Sequence, residues 1–246
     1  MKISFVIPAF NEEKNIGRCL KSIRREYKGL SSDIEVIVVN NASTDRTGEV
    51  ARGYSGVRVV DEPQKGLGHA RQAGFKASAG DIVANIDADS EVPVGWIDKV
   101  IEEFSKNDKL VALSGPYVYY DLSFGVNVLV RLFYTLGYFS HLINHHILGV
   151  GAMLQGGNFV LKRSALEKIG GFDVDIDFYG EDTDIARRIQ KLGRVKFTFK
   201  LPMYTSGRRL KKDGVLKTGI RYAANYVWII LFKKPFNREH HDVRKY

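Results

Sequence analysis

Residues 80–93 decide the fold, and their sequence is GDIVANIDADSEVP. The mostly apolar run Ile82–Ile86 follows a glycine and has the length of a buried β-strand. It ends at Asp87-Ala88-Asp89, which places two carboxylates one residue apart in the loop after the strand. Strands that end in polar residues are typical of open α/β sheets, which bind ligands at the carboxyl edge.

The segments around this strand alternate between strand and helix patterns. They predict strands at Ile3–Ile7, Ile34–Val39 and Val57–Val60, a first helix that starts at Asn11, and further helices at 66–79 and 96–104. This order predicts a Rossmann-like, mostly parallel α/β sheet with helices on both faces. Polar residues follow three of the strands, at 8–12, 40–41 and 87–89, so we expect a ligand site at that edge.

The second half of the chain has a different character. Residues 132–161 contain no Lys, Arg, Asp or Glu, but Gly137, Asn144, His145 and His146 interrupt the apolar pattern. These interruptions favour one or two amphipathic helices over a membrane span, which needs about 20 predominantly apolar residues. Adjacent histidines on a helix point about 100° apart, so we do not expect His145 and His146 to share a metal ion.

The C-terminal stretch combines features of a docking helix and of an interfacial anchor. Residues 222–232 carry no charge, and Lys233, Lys234 and a basic tail follow them. Such a helix either completes the core or lies on a membrane surface. We expect one domain at 1–210, with two halves that divide at about residue 115. Residues 211–246 would form an amphipathic helix and a basic tail.

The composition of the 246-residue chain is typical of a globular protein, with 44% hydrophobic and 26% charged residues. Cys19 is the only cysteine, so we expect neither an intramolecular disulfide nor a multi-cysteine zinc site, and we predict a cytoplasmic protein. We expect no signal peptide. The net charge of +9 suits anionic partners such as nucleotide diphosphates, acidic lipids or nucleic acid.

Two acidic motifs are candidates for chemistry. The carboxylates of Asp87 and Asp89 are ligands that Mg²⁺ and Mn²⁺ prefer, and these ions also bind phosphate oxygens. Glu181 and Asp182 follow Gly180 at the start of a predicted helix. They either compensate the helix dipole or supply a general base that deprotonates an acceptor hydroxyl.

Three further motifs suit an anionic ligand. Lys65, Gly66 and Arg71 precede or begin a helix and predict phosphate binding, although Arg71 could instead pair with a strand-end carboxylate. Arg208 and Arg209 either neutralise a leaving diphosphate or form a solvated basic loop. The remaining motif comprises Gln155, Gly156, Gly157 and Asn158. Its glycines either let a ligand approach the backbone closely or form a plain turn.

In this order the motifs resemble those of the family 2 glycosyltransferases, which have the GT-A fold. The matching segments cover most of residues 3–210 and are FVIPAFNEEKNI at 5–16, VVNNASTDRT at 38–47, KGLGHAR at 65–71, GDIVANIDADSEVP at 80–93, QGGNFVLKRSALEKIGGFD at 155–173 and YGEDTDIARRIQKLG at 179–193.

The resemblance implies inverting transfer of a sugar from a nucleotide-diphosphate sugar, with Mg²⁺ or Mn²⁺ as cofactor. Asp89 and Asp87 match the metal and diphosphate motif, with Asp89 as the direct metal ligand. Asp182 matches the catalytic base, and Glu181 beside it would orient the acceptor or the base. Asn41 matches the position that meets the nucleotide base. The other nucleotide-sugar contacts that the resemblance implies are Pro8, Ala9, Asn11, Glu12 and Ala88. The resemblance also implies a nucleotide-binding half at about 1–115 and an acceptor-binding half at about 116–210, in which the acceptor residues are Gln155, Gly156, Gly157 and Asn158.

Two departures from the family's pattern bear on the substrate. Asn40-Asn41 stands where many members have two aspartates, and an amide permits other pairings with a base, which leaves uridine and guanosine donors open. Tyr204-Thr205-Ser206 stands where many members have a metal-binding histidine, which predicts weaker or more substrate-assisted metal binding. The Gln-x-x-Arg-Trp motif of processive polysaccharide synthases is absent, so we expect transfer of a single sugar.

The expected acceptor is a hydroxyl or phosphate on a glycan or a lipid-linked molecule of the cell envelope, with peripheral contact to the cytoplasmic membrane face in the lipid case. Two other functions are alternatives. A sugar-phosphate nucleotidyltransferase would use a basic, glycine-rich first loop, whereas residues 8–12 are acidic. A non-catalytic polyanion-binding protein would suit the net charge, but the basic residues are dispersed and no recognition motif for nucleic acid occurs.

Overall fold

The computed structural model describes residues 1–27, 33–142, 152–176 and 180–232. The strands in chain order are β1 (Ile3–Ala9), β2 (Ile34–Asn41), β3 (Val57–Glu62), β4 (Ile82–Ile86), β5 (Ser90–Glu91), β6 (Leu110–Ser114), β7 (Tyr117–Tyr119), β8 (Asn158–Lys162), β9 (Arg194–Phe197) and β10 (Met203–Thr205). The helices are α1 (Ile16–Tyr27), α2 (Thr47–Arg52), α3 (Leu67–Ala77), α4 (Trp96–Lys106), α5 (Phe124–Leu142), α6 (Arg163–Lys168), α7 (Glu181–Ile189), α8 (Arg208–Asp213) and α9 (Val215–Phe232).

Seven strands form one sheet in the order β3-β2-β1-β4-β8-β6-β9. All its neighbouring strands are parallel except β8, which runs antiparallel to β4 on one side and to β6 on the other. The predicted mostly parallel α/β sheet is therefore confirmed. Three short strands form a second sheet in the order β5-β10-β7.

Apolar side chains cover both faces of the large sheet. Ile3, Phe5 and Ile7 of β1 pack in a layer with residues of α1 and α4, whereas Val6 packs in a second layer with residues of α3, α6 and α7. Successive residues of a strand point to opposite faces, which explains this division. Cys19 is buried in the first layer. With both faces covered by helices, the carboxyl edge of the sheet is the place left for a ligand.

The first helix begins later than the sequence predicts. α1 starts at Ile16 because Asn11 has a left-handed φ of 53° and lies in a loop. The backbone N–H of Asn11 donates to Ser43 Oγ at 3.1 Å, and that of Glu12 donates to Thr47 Oγ1 at 2.7 Å. These bonds anchor the loop after β1 to the connection between β2 and α2, so the prediction of a helix start at Asn11 was wrong.

The second half contains two long helices that overlap the stretches for which the sequence predicts helices. α5 begins at Phe124, ahead of the uncharged stretch, and α9 begins at Val215, ahead of the uncharged residues 222–232. Asn144, His145, His146 and the basic tail from Lys233 lie outside the described residues. Among the residues that are described, no helix is long and apolar enough to cross a membrane. The boundary expected after residue 210 falls within α8, and the division into domains stays a prediction.

Candidate active site

The carboxyl edge of the sheet gathers the motifs that the sequence singled out. The ends of β1, β2 and β4 meet there because these strands are parallel. β8 is antiparallel to β4, and its first residue, Asn158, lies opposite Ile86 at the end of β4. Residues 155–157, which precede β8, therefore lie at the same edge. The loop of Asp87-Ala88-Asp89 and the glycine pair therefore lie side by side.

Pro8 and Ala9 are the last residues of β1, and Asn11 follows them in the loop. Ala9 is buried, and Pro8 is half-buried. Asn11 Oδ1 accepts a hydrogen bond from the backbone N–H of Thr44 at 2.8 Å. The predicted nucleotide-contacting loop is thus fixed against the loop after β2.

Asn41 organises the connection between β3 and α3. Its Nδ2 donates to the carbonyl oxygens of Glu62 at 3.1 Å and Gln64 at 2.6 Å, and its Oδ1 accepts from the backbone N–H of Gly66 at 2.9 Å. An aspartate has no N–H group for the first two bonds. This geometry accounts for an amide at this position, and contact with a nucleotide base stays a prediction.

Lys65 links this connection to the loop after β1. Its Nζ lies 4.2 Å from the centroid of the Phe10 ring, which is a cation–π contact. Lys65 is exposed, and Gly66 after it has a φ of 150° and directly precedes α3. The charged Nζ of Lys65 therefore lies between the connection from β3 to α3 and the loop after β1.

Arg71 is a buried cation between the two acidic motifs. Its side chain is 1% exposed, and Nη2 lies 3.3 Å from Glu181 Oε1 and 3.6 Å from Asp87 Oδ1. Its guanidinium also lies over the Phe159 ring, 4.7 Å from the centroid. A buried charge requires such partners, because removing it from water is costly. The pairing with a strand-end carboxylate, which we considered as the alternative role of Arg71, is present.

Tyr117 is a site residue that the sequence analysis missed. Its hydroxyl donates to Asp87 Oδ2 at 2.8 Å and also contacts the carbonyl oxygen of Gly156. Gly157 has a φ of 79°, and a Cβ there would lie 2.1 Å from both Asp87 Oδ2 and the Tyr117 hydroxyl. Only glycine fits at this point. Arg71 thus contacts one carboxylate oxygen of Asp87, and Tyr117 contacts the other.

Arg208 lies between Asp89 and Glu12. Its Nη2 is 3.0 Å from Asp89 Oδ2, and its guanidinium makes two hydrogen bonds to the carboxylate of the buried Glu12. Burial raises the pKa of Asp89 to about 7; Arg208 opposes this rise, and the negative charges of Glu12 and Asp87 add to it. Arg209, the next residue on α8, is half-buried.

The donor atoms at this edge fit a divalent cation. The described residues contain no cluster of three or more His, Cys, Asp and Glu side chains that could hold a metal ion. Mg²⁺, however, is commonly held by one or two carboxylates while phosphate oxygens and water complete its ligands. Asp87 and Asp89 supply such a pair. The raised pKa of Asp89 reflects in part the charges of two nearby carboxylates, which a cation would offset.

Glu181 and Asp182 begin α7, as predicted. Asp182 Oδ2 accepts from the backbone N–H of Gly156 at 2.9 Å, and its Oδ1 accepts from that of Thr183 at 2.7 Å. Burial raises the pKa of Asp182, and these two hydrogen bonds oppose the rise. Burial also raises the pKa of Glu181 to about 8; the charge of Asp182 adds to this rise, and Arg71 opposes it.

Glu181 therefore holds its proton more strongly near neutral pH than an ordinary glutamate does. Backbone N–H groups stabilise the ionised form of a carboxylate, so Asp182 is better placed than Glu181 to carry a negative charge. The carboxylate of Asp182 is half-buried and, in its ionised form, is suited to accept a proton from a hydroxyl group.

The predicted acceptor loop has two different parts. Gln155 Oε1 accepts from the Tyr134 hydroxyl at 2.6 Å, and Gly156 lies against Asp182 as described above. Asn158 is completely buried, and its Nδ2 donates to two backbone carbonyls of neighbouring segments at 2.9 Å each. In this structure its amide holds backbone segments together, and its assignment to the acceptor stays a prediction.

A family model, "Glycosyl transferase family 2", matches residues 4–170. The curated relatives include the probable glycosyltransferase YdaM of Bacillus subtilis (strain 168), which is 29% identical over 213 residues, or 78% of this chain and 47% of that protein. They also include the dolichol-phosphate mannosyltransferase of Pyrococcus furiosus, which is 37% identical over 122 residues, or 48% of this chain and 34% of that protein. The chain spans about a third to a half of the length of these relatives.

Solved structures share the fold. The mannosyltransferase PcManGT from Pyrobaculum calidifontis, in complex with GDP-Man and Mn²⁺, has a TM-score of 0.68 and 22% identity over 94% of this chain and 63% of that one. Glucosyl-3-phosphoglycerate synthase from Mycobacterium tuberculosis, in complex with Mn²⁺, UDP-glucose and phosphoglyceric acid, has a TM-score of 0.61 and 22% identity over 93% of this chain and 79% of that one. The chain has the GT-A fold and, because the family model matches more than half of its length, it belongs to glycosyl transferase family 2.

Proposed function

We propose that the chain catalyses inverting transfer of a single sugar from a nucleotide-diphosphate sugar to a hydroxyl or phosphate acceptor. One observation carries this proposal. Arg71 contacts both Asp87, in the diphosphate motif, and Glu181, next to the candidate base. The two acidic motifs, about 90 residues apart in sequence, therefore border one site, as a reaction that needs both a general base and charge stabilisation requires.

The donor would bind at the ends of β1, β2 and β4. Asp87 and Asp89 would hold Mg²⁺ or Mn²⁺, which when bound offsets negative charge on the diphosphate. Arg208 lies at Asp89, so its guanidinium is placed to contact phosphate oxygens. The two solved structures named above contain a nucleotide sugar and Mn²⁺, which supports this class of donor and cofactor.

Asp182 would act on the acceptor. It takes the proton of the acceptor hydroxyl while the oxygen attacks the anomeric carbon on the face opposite the diphosphate. The new bond from carbon to the acceptor oxygen forms as the bond to the diphosphate oxygen breaks, so the configuration inverts and the diphosphate leaves with the electron pair. A phosphate acceptor would attack in the same way and has no proton to give when it is fully ionised.

A lipid-linked acceptor at the cytoplasmic face of a membrane is part of the proposal. The relative from Pyrococcus furiosus is named for dolichol phosphate, which is a lipid phosphate. The aromatic and aliphatic residues of α5 and α9, which lie near the acceptor loop, suit such a partner.

Thermal unfolding with UDP, GDP, CDP and dTDP, each with and without Mn²⁺, tests the donor half of the proposal. Binding to the folded state raises the melting temperature. We expect a metal-dependent rise with one nucleotide that Asp89→Ala abolishes. If Asp89→Ala kept the full rise, the assignment of the metal site would be overturned.

The variant Asp182→Asn tests the catalytic half. We expect transfer to fall by about 10²–10⁴-fold while the nucleotide-dependent rise in melting temperature persists, since a general base contributes in this range. Pyrophosphate release from a nucleoside triphosphate and a sugar phosphate would instead identify a nucleotidyltransferase. Strong polyanion binding, with no transfer activity in the unaltered protein, would identify a binding protein.

A further inference from the structure

α5 presents a row of apolar side chains to solvent. Phe124, Val128, Leu132, Leu136 and Phe139 are all exposed, with 55% of Leu132 and 59% of Leu136 accessible. Their spacing of three or four residues places them on one side of the helix. From residue 124 to residue 139 the row extends over roughly 22 Å.

The opposite side of α5 is packed on the protein. Val130 is buried, and the rings of Tyr134 and Tyr138 lie 6.0 and 6.3 Å from the ring of Phe197 in β9. This inner side fixes the helix in place, so the outer row is a feature of the folded protein. Contiguous apolar patches are uncommon on isolated soluble proteins and mark interaction sites.

α9 extends the apolar row. Leu216 and Ile220 are 65% and 61% exposed, whereas Ile229 on the other side of the helix is buried. A Cβ added to Gly219 of α9 would lie 3.5 Å from the ring of Phe133 on α5, so the two helices touch. We call the combined outer row the α5–α9 surface; it comprises Phe124, Val128, Leu132, Leu136, Phe139, Leu216 and Ile220.

The charges on the two helices are all positive. Neither α5 nor α9 contains Asp or Glu. Arg131 and Lys217 are exposed, and neither forms an ion pair with any described acidic side chain. An apolar row flanked by unneutralised cations is complementary to the headgroups and acyl chains of an anionic bilayer.

The inner sides of the same helices contact the loops around the candidate base. Tyr134 of α5 donates to Gln155 at 2.6 Å, and the next residue, Gly156, donates to Asp182 at 2.9 Å. Ile229 of α9 packs directly on Gly180, where a Cβ would lie 1.7 Å from Ile229 Cδ1. Each helix thus faces solvent on one side and the region of the base on the other.

We propose that the α5–α9 surface docks on an anionic lipid bilayer, lying in the interface, and thereby brings Asp182 to an acceptor that is carried by a membrane lipid. The docking is independent of catalysis. The acceptor class, in contrast, rests on the transfer reaction proposed above.

Flotation of the full chain with vesicles tests the docking. We expect binding to vesicles of phosphatidylcholine and phosphatidylglycerol at low salt, with loss as salt rises because the cations are exposed. The double variant Leu132→Glu/Leu136→Glu should reduce partition at least about tenfold. Leu192→Glu is the matched control. Leu192 is 43% exposed and lies just before the start of β9, whereas α5 packs on Phe197 at the end of that strand. No flotation at low salt, or equal loss in the control, would overturn the proposal.

A labelled variant locates the contact and separates a bilayer from a second copy of the chain. Cys19 is buried, so Leu132→Cys and Leu192→Cys each provide one reactive thiol for an environment-sensitive dye. The emission of a dye at position 132, but not that of a dye at position 192, should shift to the blue with anionic vesicles.

Sedimentation without lipid tests for self-association. A dimer that the double Glu variant abolishes would assign the surface to a second copy of the chain and overturn the proposal. Asp89→Ala should float normally, so a failed donor site and a failed docking surface are distinguishable.

Discussion

The guanidinium of Arg208 lies 3.0 Å from the carboxylate of Asp89, the residue assigned as the direct metal ligand. The same guanidinium bonds to Glu12. A side chain from α8 therefore offsets part of the negative charge at the candidate site from outside the large sheet. A divalent cation and Arg208 would both interact with Asp89, and their positive charges repel each other at short range.

Replacing Arg208 by Gln should change metal and nucleotide binding in opposite directions. We expect Mn²⁺ alone to bind roughly tenfold more tightly, because a competing positive charge is removed. The nucleotide diphosphate should bind more weakly in the presence of Mn²⁺, because a charge-assisted contact is lost. Titration calorimetry measures both. Lys211→Gln, which removes a charge from the same helix at a residue paired with Asp121, should leave both affinities unchanged; unaltered Mn²⁺ binding in Arg208→Gln would refute the competition.

Gly157→Ala should destabilise the protein and displace Asp87. The new Cβ would meet Asp87 Oδ2 and the Tyr117 hydroxyl at 2.1 Å while the backbone keeps a φ of 79°. Gly56 has nearly the same φ, 81°, but a Cβ there would meet nothing within 4 Å. We expect Gly56→Ala to cost about 1 kcal/mol from backbone strain and Gly157→Ala about 2–4 kcal/mol from strain and overlap together. Urea unfolding measures the difference, and equal losses would contradict the close contact.

Glu181→Gln should alter the dependence of stability on pH. The pKa of Glu181 is about 8 in the folded protein against 4.5 as its ordinary value, so between these pH values the folded state binds more protons than the unfolded state. This group therefore lowers the stability of the unaltered protein as pH rises from about 5 to 8. Gln cannot ionise, so the variant should gain at least about 3 °C in melting temperature relative to the unaltered protein at pH 8.5, with little difference at pH 5. A difference that is constant with pH would rule out the raised pKa.

Asn41→Asp should be costly even though aspartate is common at this position in the family. A carboxylate cannot donate to the carbonyl oxygens of Glu62 and Gln64, which lie at 3.1 and 2.6 Å. We expect a loss of about 1–3 kcal/mol in the free energy of unfolding, measured with urea. Asn107→Asp is the control, because the Asn107 side chain accepts from the backbone N–H of Lys109 and an aspartate can do the same. Equal effects at both positions would exclude this explanation.

The parts of the fold that local patterns encode could be predicted. The run Ile82–Ile86 is short and apolar, and its strand was expected to deliver Asp87 and Asp89 to one edge of the sheet, where the structure has them. Glu181 and Asp182 begin a helix, as the following apolar periodicity indicates. The start of α1 was misplaced because the hydrogen bonds that keep Asn11 in a loop come from residues more than 30 positions away.

Contacts between distant segments could not be predicted from one sequence. Tyr117 has no motif around it, and its role depends on the fold placing its hydroxyl 2.8 Å from Asp87. Arg208 was assigned to a diphosphate, but its contact with Asp89 joins residues 119 positions apart in sequence. The antiparallel place of β8 in the sheet depends on pairing partners that local periodicity does not specify.

The position of β8 has a consequence for how the protein is made. β4 and β6 leave the ribosome first, yet the strand that separates them in the sheet is encoded more than 40 residues after β6. Until β8 is synthesised, β4 presents an open strand edge, which is prone to wrong pairing. The sheet formed by the first 115 residues thus becomes continuous only when a later segment is added, and a fragment that ends near residue 115 would lack that strand. β8 can therefore link β4 to β6 in the central sheet only after residue 162 has been translated.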